Sequence, residues 1–300
     1  MSIQLNPAAR ALVQSDRDLQ GFITAAILEH GRLISGGGET VRKNAPESAV
    51  TLVALPGFPP VCVKEFRWRG WVHALKGLFR STQGVRTFRN GTRLNGLGIR
   101  AAAPLALARK EMCGVAKSEW IVMEVLPGAL ELDRYISKKV SEGWMWGEKK
   151  RAVRTFARFM GSIHAAAIFH ADLKTCNILV SERTPARLED SAPNRLNDSD
   201  RDPELTFALL DYDDVSFGGT ISERQRIKNL VQVFLSTPIF VKAADRMLFL
   251  REYALHAGLT GSQRRKVARS VLEAARGREV LYVGFEGDQI ERWESGQCRE

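Results

Sequence analysis

Phe169-His170-Ala171-Asp172-Leu173-Lys174-Thr175-Cys176-Asn177-Ile178-Leu179-Val180 is the stretch on which the fold turns. Just upstream, Glu148 to Phe169 repeats apolar residues every three to four positions (Val153, Phe156, Met160, Ile163, Ala167), the spacing of a long helix with one buried face. Just downstream, Ile178 to Val180 reads as a short apolar strand. The residues between form a tight loop that carries an Asp and an Asn five positions apart. Such a pair can face one small volume, the carboxylate taking a hydroxyl proton and the amide oxygen holding a divalent metal. Lys174 would bring positive charge to a phosphate in transfer. Asp and Asn are also ordinary turn residues, so the weight of this reading depends on what surrounds the loop.

Working outward, three strand-like segments come first: Arg32 to Lys43, interrupted by Gly36-Gly37-Gly38, then Ser48 to Leu55, then Val61 to Arg67. They read as a small antiparallel sheet preceded by a helix over residues 7 to 30. The glycine run is placed in the turn between the first two strands, where bare backbone can approach phosphates closely. Val61-Cys62-Val63-Lys64 sets a lysine on the third strand, suited to the α and β phosphates of a nucleotide. Ala208-Leu209-Leu210-Asp211-Tyr212-Asp213 ends a later strand with a carboxylate, and Asp211 with Asn177 can hold Mg²⁺. Asp213 and Asp214 read more simply as solvated loop acids. Thr82 to Leu97 reads as a helix, Trp120 to Val125 as an apolar strand, and Ala129 to Val140 as another helix. Ser222 with Gln225 forms a capping box before a further helix, and Ser262 to Arg276 closes the helical series. Strands up to about residue 126 and helices beyond it argue for an α+β protein of two lobes, 1–126 and 127–300. Residues 181–205 hold eleven charged residues and few apolar ones, the composition of a mobile insertion.

In the order Gly36–Gly38, Lys64, His170-x-Asp172-x-x-x-x-Asn177, Asp211, the sequence resembles the protein-kinase-like superfamily. Within it, HADLKTCNILV, LLDYDD, LNGLGIRAAAPLAL and ERQRIKNLVQVF resemble the lipopolysaccharide kinases, the Kdo and heptose kinases of the inner core. The resemblance implies a bilobal kinase-like fold with an antiparallel β-sheet N-lobe and a mainly helical C-lobe. It also implies transfer of the γ-phosphate of ATP, with Mg²⁺ or Mn²⁺, to a sugar hydroxyl of lipopolysaccharide core. By resemblance Asp172 is the base, Lys174 neutralises the γ-phosphate, and Lys64 with Gly36, Gly37 and Gly38 holds the nucleotide phosphates. Asn177 and Asp211 bind the metal, backbone groups from Glu124 to Leu126 hold adenine, and His170 braces the loop. Two departures stand out. The helix Thr82 to Leu97 has no acid to pair with Lys64, its closest register offering Thr87, so the lysine is held in another way. No Ala-Pro-Glu motif follows Asp211, which favours a small-molecule or glycolipid acceptor over a protein. A protein Ser/Thr kinase and a nucleotide-binding pseudokinase are the rival readings.

The chain has 300 residues and 44 Lys plus Arg against 34 Asp plus Glu, a net charge of +10. Its apolar fraction suits a packed core, and no stretch is long enough to span a bilayer. A cytoplasmic location, peripheral at the inner membrane, is expected. Four scattered cysteines, Cys62, Cys113, Cys176 and Cys298, suggest neither a zinc site nor a disulfide framework. From Phe66 to Lys110 there are ten Lys or Arg and no acid. Such a field attracts polyanions without specifying which: an anionic membrane surface, a phosphorylated glycolipid or, less in keeping with the rest, nucleic acid. Arg67-Trp68-Arg69-Gly70-Trp71 adds aromatic residues to that block, a composition suited to lipid headgroups.

Overall fold

The computed structural model describes residues 1–7, 9, 16–67, 81–112, 115–183, 204–284 and 287–292. The chain divides into two units, Met1–Leu126 together with the strip Asp211–Asp214, and Pro127–Leu210 together with Val215–Glu300. Of the expectations above, positions 184–203 of the charged insertion and 68–71 of the Arg-Trp run lie outside the described residues.

In the first unit six strands form one antiparallel sheet among the described residues: β1 (Ser2–Leu5), β2 (Val41–Ala45), β3 (Ser48–Val53), β4 (Val61–Arg67), β5 (Pro104–Met112) and β6 (Val115–Glu124). Their order is β1-β5-β6-β4-β3-β2. Helix α1 (Asp16–Gly36) covers one face of this sheet. Its Leu19, Phe22, Ile23, Ala26 and Ile27, spaced at helical intervals, share a core with Val53, Val61, Val63, Ala106, Ala108 and Val122. Because side chains alternate along a strand, Val61 and Val63 enter that core while Cys62 and Lys64 project from the opposite face.

The structure corrects the reading of residues 32 to 43 as a strand. His30 is buried against Thr51, its Nδ1 2.8 Å from the hydroxyl, and Leu33 packs on the same core. These contacts carry the helix past Gly31, where a glycine costs only about 1 kcal/mol. Gly37, at φ +70°, ends the helix, its N–H donating to Leu33 O at 2.9 Å. Gly36, Gly37 and Gly38 therefore terminate α1 and do not form the hairpin turn. The β2–β3 turn is Pro46-Glu47, which contains no glycine. β1, paired with β5 in the register Ser2↔Arg109, had no counterpart in the sequence reading, which put a helix first.

Helix α2 (Gln83–Gly96) has no acid in its first turn. Glu119 of β6 supplies one, accepting from Gly84 N–H at 3.0 Å and Thr82 Oγ1 at 2.5 Å. Arg109 holds the same carboxylate at 3.1 Å. Gly91 of α2 lies against Tyr212, where a Cβ would stand 2.6 Å from the ring.

The second unit runs β7 (Leu130–Glu131), α3 (Leu132–Ser141), α4 (Trp146–Ala165), β8 (Ile168–His170), β9 (Ile178–Arg183), β10 (Glu204–Leu209), β11 (Val215–Phe217), α5 (Glu223–Ser236), α6 (Ala243–His256), α7 (Gly261–Ala275), β12 (Glu279–Gly284) and β13 (Gly287–Arg292). Capping boxes open α5 (Ser222/Gln225) and α7 (Thr260/Gln263). The long helix stops at Ala165, earlier than its periodicity implied, because Ala167 takes φ +55° and Ile168–His170 pairs with β11. The β12–β13 hairpin fastens to α3, with Ser137 Oγ donating to Val283 O at 2.9 Å and Val283 N–H to Asp133 Oδ2 at 3.0 Å.

Candidate active site

The loop from Ala171 to Asn177 is stretched between two antiparallel pairs, β8 with β11 and β9 with β10. Leu210 N–H donates to Asn177 O at 2.9 Å, and His170 Nε2 donates to Leu210 O at 3.0 Å. Asp172 N–H donates back to His170 Nδ1 at 3.2 Å, which fixes a neutral imidazole with its proton on Nε2. His170 thus braces the loop from within. Asp172 is 54% exposed, and its Oδ1 lies 3.1 Å from Lys174 Nζ. Asn177 Nδ2 donates to Asp172 O at 2.8 Å and reaches Oδ2 at 3.5 Å, so its amide nitrogen is engaged and its oxygen is the atom left to offer a metal. The structure brings Asp172, Lys174 and Asn177 together as the spacing implied.

Sequence reasoning missed what lies beneath this loop. Asn229, Gln232 and Ser236 of α5 occupy one helix face and bond the loop backbone directly. Asn229 Nδ2 donates to His170 O at 2.5 Å, Gln232 Nε2 to Ala171 O at 2.8 Å, and Thr175 N–H to Ser236 Oγ at 2.9 Å. Thr175 Oγ1 also donates to Ser236 O at 2.6 Å, and Leu173 is fully buried. The signal was present as polar residues at three- and four-residue spacing within an otherwise apolar run, Leu230 to Leu235. Below Asn229 lies His164, whose Nε2 donates to Asn229 Oδ1 at 3.3 Å and whose Nδ1 accepts from Tyr253 OH at 2.7 Å. Burial pushes His164 down to about 4, against a smaller opposing pull from the Asn229 bond.

In the first unit, Lys64 Nζ bonds Asp211 Oδ1 directly. This is how the lysine is held in the absence of a helix acid. Asp211 sits at φ +50°, a left-handed conformation that Asp tolerates better than most residues. Tyr212 anchors the strip that follows: it is fully buried and donates to Ala102 O at 2.5 Å. Helix α2 grips the rest of the strip. Asn90 Nδ2 donates to Tyr212 O at 2.9 Å and Asp213 O at 3.0 Å, and Gln83 Nε2 to Asp213 Oδ2 at 2.8 Å. Arg86 reaches Asp213 at 3.6 Å and Asp214 at 3.3 Å. Asp213 is buried and bonded, which corrects its reading as a solvated acid. Beside Lys64, burial pushes the Cys62 thiol up to about 11, with the lysine charge pulling it partly back.

Glu124 ends β6 with its backbone N–H donating to Ala103 O and its carboxylate accepting from Ala103 N–H, both at 2.9 Å. Its side chain is therefore engaged. Among the described residues no cluster of three His, Cys, Asp or Glu is arranged to hold a metal. Asp211 and Asn177 offer hard oxygen donors, the set that suits a Mg²⁺ ion completing its shell with phosphates and water. Gly36–Gly38, occupied in ending α1, contribute no such cradle to the β2–β3 turn.

A family model described as the lipopolysaccharide kinase (Kdo/WaaP) family matches residues 65–253, a span that includes Asp172, Lys174, Asn177 and Asp211 and begins one residue after Lys64. Among solved structures, "WaaP in complex with acyl carrier protein" is similar at a TM-score of 0.50 and 18% identity, covering 90% of this chain and 99% of that one. At that identity the likeness speaks to the fold. No curated protein matches the sequence.

Proposed function

The chain belongs to the lipopolysaccharide kinase (Kdo/WaaP) family, and from that premise we propose that it transfers the γ-phosphate of ATP to a sugar hydroxyl, of Kdo or heptose, in the lipopolysaccharide inner core. The observation that carries the reading is the loop around Asp172, rigidly bonded at its backbone while its carboxylate, ammonium and amide are presented to solvent. Asp172 takes the proton of the acceptor hydroxyl as that oxygen bonds to the γ-phosphorus and the bond to the β-phosphate oxygen breaks. Lys174 offsets charge on the transferring group and keeps the Asp172 side chain oriented. Lys64 passes from Asp211 to the α and β phosphates when nucleotide binds, and this frees Asp211 to bind metal with Asn177. Backbone groups from Glu124 to Leu126 receive adenine. A bound Mg²⁺ would neutralise the phosphates and fix their geometry. No helix among the described residues is long and apolar enough to cross a membrane, and we place the reaction on the cytoplasmic side of the inner membrane.

The test is ATP turnover with Mg²⁺ or Mn²⁺ on purified lipopolysaccharide core acceptors, comparing wild type with Asp172→Asn and Asp211→Asn. Transfer to the glycolipid that both variants lose supports the reading. Transfer to generic protein substrates instead makes it a protein kinase, and ATP binding with no transfer makes it a pseudokinase.

A second reading concerns a partner. The helical unit contains an apolar cavity of about 530 Å³, lined by Leu132, Ile136, Phe156, Val233, Phe249 and Val271 among others. The similar solved protein is recorded with acyl carrier protein, and this cavity suits the chain such a carrier bears. Co-purification of an acylated carrier, abolished by Ile136→Arg in a chain that still folds, would support it.

A further inference from the structure

The acid-free block from Phe66 to Lys110 has a part to which the reaction assigns no role. Helix α2 buries Gly84, Thr87, Phe88, Asn90, Gly91 and Leu94 and leaves Arg89 and Arg93 exposed, one turn apart on its outer face. Leu97, 50% exposed, continues that line at the helix end, and exposed Arg100 follows just past Gly98. Other arginines of this unit meet acids: Arg86 at Asp213 and Asp214, Arg109 at Glu111 and Glu119, Arg67 at Glu65. The other basic helix of the molecule, α7, includes Glu273 in its sequence, and its Lys266 is paired with Glu223 at 2.9 Å. Helix α2 contains no acid at all.

We propose that the stripe Arg89, Arg93, Leu97 and Arg100 docks this protein onto an anionic phospholipid surface. Guanidinium groups fit phosphate oxygens with paired N–H bonds, so an array of them favours a headgroup layer over a diffuse counterion cloud. Leu97 decides between polyanions. An exposed apolar side chain beside arginines gains free energy at the boundary between headgroups and acyl chains, whereas a nucleic-acid backbone gives it nothing to enter. Along the stripe no aromatic residue stands exposed to stack on bases; Phe88 points into the core. The preference for lipid rests in part on lipopolysaccharide being the acceptor, but docking itself requires neither acceptor nor nucleotide.

The experiment is sedimentation of the full chain with phosphatidylcholine vesicles that either contain or lack phosphatidylglycerol, without acceptor or ATP. Wild type should bind only the anionic vesicles, less tightly as salt rises. Arg89→Gln/Arg93→Gln/Arg100→Gln should lower partitioning on the order of 100-fold, from roughly 1 kcal/mol per arginine near such a surface. The corresponding triple Lys variant should keep most of the binding, and Arg265→Gln/Arg269→Gln on α7 should keep all of it. All three sites are exposed, so matching thermal melts will show that the variants are folded. Equal binding by the triple Gln variant, indifference to phosphatidylglycerol, or displacement from vesicles by duplex DNA would overturn the proposal. Vesicle binding without phosphate transfer would instead count against the proposed reaction and leave this docking surface standing.

Discussion

Lys64 and Asp211 neutralise one another in the absence of nucleotide, and that fact sets what their variants should do. Asp211→Asn loosens the lysine while removing a metal ligand, so nucleotide affinity should change little while the metal requirement rises several-fold, measurable by titrating Mg²⁺ in a turnover assay. Asp172→Asn keeps the loop's shape, because the backbone bonds to Asn177 and His170 do not involve the carboxylate. It should lower kcat by about 10² to 10⁴ with ATP binding intact, the range for losing a positioned base. His164 titrates in the opposite sense to a salt-bridged histidine. Its folded value of about 4 lies below the ordinary 6.5, so folding favours the neutral ring. The resulting stability is complete above pH 6.5 and is lost as pH falls toward 4, by roughly 3 kcal/mol. Melting temperature should therefore drop across that window in wild type and much less in His164→Gln. At this scale the sequence was most legible. Asp172, Lys174 and Asn177 act within one short loop, so their spacing alone brought them together. The Lys64–Asp211 pair spans 147 positions and its ion pair had no local signature.

Two elements decide whether those residues stay in place. Helix α5 ties down the loop through Asn229, Gln232 and Ser236, and Asn229 is fully buried. Asn229→Leu strands the His170 carbonyl and the His164 Nε2–H without partners. It should cost about 3 kcal/mol in denaturant unfolding and lower kcat as well, since the loop loses its footing. Helix α2 does the corresponding work for the strip after Asp211, with its usual charge inverted: arginine and glutamine on the helix, acids on the strip. Arg86 is 31% exposed on its side chain, so Arg86→Ala should cost under about 1 kcal/mol of stability yet reduce turnover severalfold by loosening Asp214 and Asp213. Paired measurement of melting temperature and kcat separates the two effects. Helices were readable where periodicity and caps agreed, as at Ser222 and Gln225. They misled where glycines interrupted a buried face, as in α1, whose burial of His30 and Leu33 outweighs the local propensity for a turn. Glu119 capping α2 from another strand, and β1 pairing across more than a hundred residues, leave no mark in their own neighbourhoods.

At the scale of the molecule, composition and the order of segments were enough for an α+β chain with an antiparallel sheet followed by helices, and the family match agrees with that reading. Less legible was the membership of the first unit, which includes four residues, Asp211–Asp214, taken from far along the chain. Tyr212 fills a place against Gly91 and Ala102 that residues 1–126 cannot fill for themselves. A fragment ending at Leu126 should therefore expose that gap, bind the dye ANS and lack a sharp thermal transition, whereas the full chain melts cooperatively. The same feature sets a timetable. A ribosome adding about 5 to 20 residues per second needs on the order of 10 to 30 s after making Lys64 before Asp211 leaves its tunnel. For that interval the sheet exists without its last piece, a newborn half-structure whose missing wedge is still being translated, and chaperones would find it there.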